Sequence, residues 1–187
     1  MSTAPLVQVT DLAKTFDVSA PWLNRVIEGK PRLLLHAVDG VSFEIAKGKT
    51  LALVGESGCG KSTVARLLVG LYEPSRGEVQ FDGRDLHSSF KAPGGRAVRR
   101  RIQMIFQDPY ASLNPRWTVG DIVAEPLSEH GLVTEPAALA QRVEALLLSV
   151  GLSPLDRVKY PHQFSGGQRQ RITIAMALAC NPDLLIA

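Results

Sequence analysis

The sequence predicts an α/β protein with an embedded helical subdomain. Residues 50–54 form a short, almost wholly apolar run, which is typical of a strand buried on both faces of a parallel sheet. A glycine-rich loop and a helix with one apolar stripe follow this run directly. Residues 108–165 then carry prolines and helical patterns, before a second apolar run at 184–187. Strands and helices that alternate in this order indicate an α/β core with a helical insert.

Alternating apolar residues predict strands in the N-terminal part of the chain. Residues 6–9 predict an edge strand that ends near Asp11. Residues 33–36 and 38–45 predict further strand segments. Between them, residues 17–32 contain prolines and a glycine and are interpreted as a loop or insertion.

A helix and a hairpin are predicted after the glycine-rich loop. The helix runs from Lys61 to about Leu71, because its apolar residues recur at helical spacing. Residues 78–81 predict a strand that enters a tight turn at Asp82-Gly83.

Capping signals mark the helices of the C-terminal part. Thr118 predicts a helix N-cap, with Asp121 three positions later as an imperfect capping box. Gly151 stands where a glycine commonly ends a helix. The predicted elements here are a strand over 102–106, helices from Thr118, over 135–150 and from about 167 to 181, and a terminal strand over 184–187.

Composition excludes several function classes. Lys and Arg number 21 against 18 Asp and Glu, and this net charge of +3 is too small to indicate nucleic-acid binding. The arginines at 96 and 99–101 are interpreted as a solvated helix face. No apolar run approaches the roughly 18 residues that cross a bilayer, and no secretion signal opens the chain. Cys59 and Cys180 form no disulfide framework or metal-ligand spacing, which indicates a reduced, cytoplasmic compartment.

The glycine-rich loop, residues 55–62, matches the phosphate-loop pattern G-x-x-x-x-G-K-[ST] between a predicted strand and a predicted helix. Its glycines let successive backbone N–H groups converge on one anion, and the helix N-terminus adds a favourable dipole. The Lys61 ammonium is expected to reach the β- and γ-phosphates and the Ser62 hydroxyl to ligate Mg²⁺. Cys59 is interpreted as a tolerated small residue rather than a catalytic one. The residues predicted to bind the nucleotide are Gly55, Ser57, Gly58, Cys59, Gly60, Lys61, Ser62 and Thr63.

A second segment has the chemistry of an anion site. In Ser165-Gly166-Gly167-Gln168 a hydroxyl and two glycines precede a predicted helix. Alone, the segment would be interpreted as a helix capped by Ser165 with flexible glycines. The segment matters because a phosphate loop alone does not distinguish kinases, GTPases, helicases and transporters.

Together these motifs resemble the nucleotide-binding subunit of the ATP-binding cassette (ABC) transporters. Residues 165–168 resemble that family's signature motif, and Gln107 resembles its Q-loop glutamine. Residues 77–83 are similar to the hairpin that follows the phosphate-loop helix. The resemblance implies a P-loop NTPase (RecA-like) core with an antiparallel β subdomain and an inserted α-helical subdomain. Residues 1–107 and 168–187 would then form the core with its β subdomain, and residues 108–167 the helical signature subdomain.

One branch of the family is similar in finer detail. Residues 106–116 resemble the Q-loop of the oligopeptide and dipeptide importers, and residues 160–163 precede the signature as they do in that branch. Importers of nickel or glutathione share these features, so they remain alternatives.

The resemblance also implies residue roles. Phe16 would stack on adenine, with edge-strand packing as the alternative, and Lys61 and Gln107 would be catalytic. Gln107 and Ser62 would contact Mg²⁺. Ser165, Gly166, Gly167 and Gln168 would bind the γ-phosphate of an ATP held by the opposite subunit.

The implied partners are transmembrane permease subunits, a second ABC ATPase subunit and, indirectly, an extracytoplasmic solute-binding protein. No nucleic acid is expected among them. The implied location is peripheral, at the cytoplasmic face of the inner membrane.

The C-terminal end departs from the family's pattern. In the family, the strand that corresponds to 184–187 runs into an Asp-Glu pair that holds Mg²⁺ and polarises water, whereas this sequence ends at Ala187. The family's switch histidine, which lies further along the chain in its members, also has no counterpart in this sequence. We therefore expect the front part of a longer subunit, whose 187 residues alone do not hydrolyse ATP and are prone to aggregate. The alternatives are a nucleotide-binding fragment without hydrolysis and a non-transport ABC ATPase, whereas a generic kinase would leave residues 165–168 unexplained.

Overall fold

A computed structural model describes residues 4–187, apart from the side chains of Val26, Glu28 and Pro109. The chain forms two compact units, Met1–Pro93 and Gly94–Ala187.

The first unit is built on an antiparallel sheet with the strand order β2-β1-β3-β4. The predicted edge strand is wrong in position and length, because β1 pairs with a neighbour on each side and extends well beyond Asp11. Alternation of apolar residues reports a half-buried strand but does not distinguish an interior strand from an edge strand. The elements are β1 Val7–Asp17, α1 Trp22–Glu28, β2 Leu34–Ile45, α2 Lys61–Leu68, β3 Arg76–Phe81, β4 Arg84–Asp85 and α3 Leu86–Lys91.

The core of this unit lies under one face of the sheet. Val7 of β1 is opposite Ile45 of β2 and Phe81 of β3, and it is almost fully buried. Leu12 and Leu67 have no exposed surface. The predicted hairpin is confirmed, since Asp82 and Gly83 both have positive φ, as a tight two-residue turn requires.

The apolar run at 50–54 does not form the predicted buried strand. The structure assigns no strand to these described residues, and the side chains of Leu51, Leu53 and Val54 are 45%, 45% and 87% exposed. A parallel strand needs hydrogen-bonded neighbours and cover on both faces. The four-stranded sheet of the first unit does not include this segment, so its side chains stay in solvent.

Residues 17–32 are more ordered than the predicted loop. Helix α1 forms within them, and Gly29 ends it in the left-handed conformation at φ 61°. A glycine at this position is a standard helix stop.

The second unit joins a two-stranded parallel sheet to a group of helices. Residues 102–104 pair in parallel with residues 184–186, and Ile105 N–H donates to the Ile186 carbonyl at 2.8 Å. The predicted strand over 102–106 is therefore correct in place but two residues too long. The elements are α4 Gly95–Arg101, β5 Ile102–Met104, α5 Pro109–Ser112, α6 Val119–Glu129, α7 Pro136–Ser149, 3₁₀ turns Pro154–Val158 and Pro161–Gln163, α8 Gly166–Ala179 and β6 Leu184–Ile186.

The predicted capping signals of this unit are confirmed, whereas its last helix ends at Ala179 rather than near 181. Thr118 and Asp121 form a complete capping box at the start of α6. Gly151 follows α7 with φ 74°. Three fully buried side chains, Val123, Leu147 and Ile172, hold α6, α7 and α8 together. Within the described part of the chain, no helix has the length and apolar character to cross a membrane.

Candidate nucleotide site

The phosphate loop leads directly into α2 in the first unit. Gly60 is the N-cap of the helix, and no described side chain caps this end. The first N–H groups of α2 and the positive end of its dipole are therefore available to an anion. Ser62 lies in the first turn of α2 and is exposed, so its hydroxyl can reach a bound ion.

The loop glycines are required by its geometry. Gly60 has φ 96°, and a Cβ added there would lie 2.2 Å from the Ala37 carbonyl oxygen of β2. Gly58 also has a positive φ, of 85°. A Cβ at Gly55 would lie 2.6 Å from Cys59 Sγ. Close packing therefore disfavours a side chain at Gly55 and Gly60, whereas Gly58 is required by its backbone angle.

Lys61 folds back over the loop. Its Nζ donates to the carbonyl oxygens of Gly55 at 2.8 Å and Glu56 at 2.6 Å, and it lies 3.6 Å from Cys59 Sγ. The ammonium is held at the loop by backbone acceptors rather than by a carboxylate. A phosphate that enters the loop would therefore meet a positive charge that no carboxylate among these contacts neutralises.

Phe16 lies near the end of β1 and packs against Tyr72. The two rings are edge to face, with centroids 5.2 Å apart and planes at 76°. Lys14 Nζ lies 5.1 Å from the Phe16 centroid and donates to the Glu73 carbonyl at 2.8 Å. The ring is half-buried, so one part of it packs in the fold while the rest can contact a ligand. Tyr72 belongs to no recognised motif, so its contact with Phe16 was not predicted from the sequence.

The signature segment caps α8 in the second unit. Ser165 Oγ accepts from Gln168 N–H at 3.3 Å, and Gln168 Oε1 accepts from Ser165 N–H at 3.0 Å. This reciprocal capping box is the interpretation that the sequence left open for Ser165.

The fold leaves room for side chains at the two signature glycines. Both lie in the first turn of α8. A Cβ added at either would meet no atom within 4 Å outside its chain neighbours and its own helix backbone. The space above Gly166 and Gly167 is therefore open, as expected where another group approaches the backbone.

Gln107 lies in an exposed segment beyond β5. The short helix α5 follows it, and Asp108 caps α5 by accepting from Tyr110 N–H at 2.8 Å. The sequence alone predicted Gln107 at a strand end, but it is separated from the strand by two residues.

Arg169 connects this segment to the signature helix, and sequence reasoning missed it. Its guanidinium carbon lies 4.1 Å from the Tyr110 ring centroid. Its Nε donates to the Pro161 carbonyl at 2.8 Å, and one terminal nitrogen donates to the His162 carbonyl at 3.4 Å. One side chain thus holds α5, the 161–163 turn and the start of α8 in a fixed arrangement.

We expect Arg169→Ala to lower the free energy of unfolding by about 2 kcal/mol, because charged hydrogen bonds and a cation–π contact are lost. Urea denaturation measures this, and hydrogen exchange at 110–112 should rise. Arg116→Ala, at an exposed arginine in the same unit, should leave both unchanged. Equal stability of the two variants would show that the Arg169 contacts contribute nothing.

The phosphate loop, the open signature glycines and the α/β architecture define a class of nucleotide-binding cassettes. The chain belongs to the ABC transporter family, whose sequence profile matches residues 38–187. The predicted fold class is confirmed by solved structures. The chain superimposes with a TM-score of 0.79 at 27% identity on the dimeric ATP-binding cassette MJ0796 bound to ADP and Pi, covering 96% of this chain and 72% of that one. For cbiO1 from Clostridium perfringens, part of the complex cbiONQ, the TM-score is 0.72 at 27% identity, with 97% and 64% covered.

The curated relatives are ATP-binding proteins of transport or import systems. AppF of Bacillus subtilis, an oligopeptide transport ATP-binding protein, is 46% identical over 97% of this chain and 54% of its own length. OppF of the same organism, also an oligopeptide transport ATP-binding protein, is 54% identical over 84% of this chain and 52% of its own length. GsiA of Escherichia coli K12, a glutathione import ATP-binding protein, is 50% identical over 98% of this chain and 28% of its own length. The chain therefore spans about half the length of the oligopeptide relatives and less of GsiA.

Proposed function

We propose that this chain is the ATP-binding part of an ABC importer ATPase whose cargo is short peptides. The observation that carries the proposal is the phosphate loop, in which Lys61 lies over backbone carbonyls at the start of an uncapped helix. The cargo class is supported by the relatives, which are named for oligopeptide transport and glutathione import. Glutathione has peptide chemistry, so it falls within the proposed class.

The proposed binding mode assigns each nucleotide group a partner. The loop residues 55–60 would hold the β-phosphate through backbone N–H groups, and Lys61 would contact the β- and γ-phosphates. Phe16 would contact adenine with the exposed part of its ring. Stacked aromatic contacts of this kind discriminate little between bases.

The exposed Ser62 hydroxyl at the start of α2 fits a magnesium ion that is bound together with the nucleotide. Mg²⁺ is usually held by one or two protein oxygens together with substrate phosphates. Ser62 Oγ and the Gln107 amide oxygen are the two proposed ligands. When bound, the ion would neutralise charge on the phosphates.

Two cassettes are proposed to act as a pair. Ser165, Gly166, Gly167 and Gln168 of one cassette would bind the γ-phosphate held by the phosphate loop of the other. Open backbone at Gly166 and Gly167 is consistent with such an approach. Only a nucleotide with a γ-phosphate can join both halves, so hydrolysis would release the pair and reset the transporter.

The proposed assembly includes permease subunits in the cell membrane and, indirectly, a solute-binding protein. The chain would be peripheral at the cytoplasmic face of the inner membrane. The core would consist of residues 1–107 and 168–187, with residues 108–167 as its helical subdomain.

Thiol labelling tests the nucleotide site. Cys59 is exposed in the phosphate loop, whereas Cys180 is buried and burial raises the pKa of its thiol, so a maleimide should label Cys59 selectively. We expect labelling to abolish ATP binding and bound Mg-ATP to protect Cys59. AMP, which lacks the β- and γ-phosphates, should not protect. Equal labelling of Cys59 with and without Mg-ATP would contradict the proposed site, with Cys180 as the internal control.

A further inference from the structure

Tyr72 lies where the helix of the phosphate loop meets the strand that carries Phe16. Helix α2 begins directly after the phosphate loop, and Tyr72 follows the end of this helix. The Tyr72 backbone N–H donates to the carbonyl of Arg66, in the last turn of α2, at 3.3 Å. Its ring contacts Phe16 near the end of β1, with the two centroids 5.2 Å apart. Tyr72 therefore links the helix that would hold the phosphates to the ring that would contact the base.

Polar contacts tie the segment that follows α2 to β1. Ser75 N–H donates to the Ala13 carbonyl at 2.8 Å, and Thr15 N–H donates to Ser75 Oγ at 3.1 Å. Lys14 Nζ donates to the Glu73 carbonyl at 2.8 Å. These contacts join parts of the chain that are far apart in sequence, and they fix the position of the segment relative to the strand.

Two neighbours restrict the Phe16 ring. The Tyr72 ring meets it at 76°, an edge-to-face arrangement that aromatic pairs favour. Lys14 Nζ lies over the Phe16 ring, 5.1 Å from its centroid, which is a typical cation–π distance. A phenylalanine side chain without such neighbours samples several rotamers, whereas these contacts favour one of them. The half-buried ring is therefore oriented before a base arrives.

The ring of Tyr72, rather than its hydroxyl, makes the contact with Phe16. Arg66 donates from a terminal guanidinium nitrogen to the Tyr72 hydroxyl at 3.4 Å, which is longer than an ordinary hydrogen bond. Arg66 is also exposed, so water can replace this contact. A phenylalanine at position 72 should therefore keep the interaction with Phe16.

We propose that Tyr72 is a positioning residue, which orients the Phe16 ring to receive the base of the nucleotide. The inference rests on the proposed ATP site and adds to it a residue outside the sequence motifs. Ordering a side chain during binding costs affinity, so a ring that is already oriented binds the base more tightly. Tyr72 acts through Phe16 and contacts neither the base nor the phosphates.

A comparison of Mg-ATP with inorganic tripolyphosphate tests the proposal on the full chain. Tripolyphosphate has neither base nor ribose, so its affinity reports the phosphate loop alone. Tyr72→Ala should weaken Mg-ATP binding by about 3- to 10-fold in isothermal titration, because the Phe16 ring then has to be ordered during binding. The affinity for tripolyphosphate should not change, whereas a general loss of structure would weaken the binding of both ligands.

Three further variants show how Tyr72 acts. Tyr72→Phe retains the ring contact and should bind Mg-ATP within about twofold of the unsubstituted chain. Phe16→Ala removes the base contact, so the addition of Tyr72→Ala to this variant should cause no further loss. Trp22→Ala, at a 71% exposed aromatic residue of the same unit, is the control and should bind both ligands normally. Circular dichroism confirms that each variant is folded.

Several results would overturn the proposal. Unchanged Mg-ATP affinity in Tyr72→Ala would show that the Phe16 ring needs no positioning, and an equal loss for both ligands would assign Tyr72 a structural role. A further loss in the Phe16→Ala background would show that Tyr72 acts independently of Phe16. An equal loss in Tyr72→Phe would assign the effect to the hydroxyl, and an equal loss in Trp22→Ala would show a non-specific effect. An unsubstituted chain that binds neither ligand would overturn the proposed ATP site as well, whereas the other results leave that site intact.

Discussion

Lys61→Ala should lower the affinity for Mg-ATP by about 30- to 1000-fold, because it removes charged hydrogen bonds of about 2–4 kcal/mol in total. The structure already holds the Lys61 ammonium at the loop through the Gly55 and Glu56 carbonyls. Its position in the loop is therefore set before a phosphate binds, and little side-chain entropy is lost on binding. Isothermal titration of Mg-ATP into the full chain measures the change.

Two further variants separate charge from structure in this experiment. Lys47→Ala removes an exposed lysine of the same unit and should keep normal affinity. Lys61→Met retains the apolar stem without the ammonium, so it should lose affinity as Lys61→Ala does. Normal ATP binding by a folded Lys61→Met variant would show that the loop does not use this ammonium for phosphate.

Ser165→Arg should leave ATP binding within about twofold of the unsubstituted chain and abolish ATP-dependent pairing and turnover in an assembled two-cassette complex. The phosphate loop lies in the first unit, whereas Ser165 begins a helix of the second unit. A bulky cation beside Gly166 and Gly167 would fill the open space above the backbone. Light scattering with and without ATP measures pairing, and phosphate release measures turnover.

The capping role of Ser165 requires its own control. Loss of the cap costs about 1 kcal/mol, so a general loss of stability has to be separated from the loss of pairing. Ser165→Asp retains a capping oxygen and places a negative charge where a phosphate would approach, so it should stay folded and still fail to pair. Ser128→Arg, at an exposed position of α6, should pair normally. Normal pairing and turnover by both Ser165 variants would contradict the role proposed for residues 165–168.

Local signals predicted the parts of the fold that depend on neighbouring residues. The capping box at Thr118 and Asp121 needs atoms that are three residues apart, and the turn at Asp82-Gly83 needs only its own backbone angles. The position of Gly60 was also predictable, because the phosphate-loop pattern specifies a glycine directly before the lysine.

Features that depend on distant residues were not predictable in the same way. An apolar run such as 50–54 has a high tendency to form a strand, but a strand exists only where another segment offers hydrogen bonds. The interior position of β1 depends on β3, which follows it by more than fifty residues. The Arg169 contacts join three segments, and a single arginine in a polar stretch carries no signal of that arrangement.

The glycines at 60, 166 and 167 differ in how far the fold itself restricts their substitution during evolution. A side chain at Gly60 collides with the Ala37 carbonyl, so selection for a folded chain alone would retain the glycine. Gly166 and Gly167 have room for a side chain, so selection for a folded chain alone would not retain glycine there. Under the proposed pairing of two cassettes, selection would retain them for the contact with the partner, and a lineage without that pairing would be free to replace them.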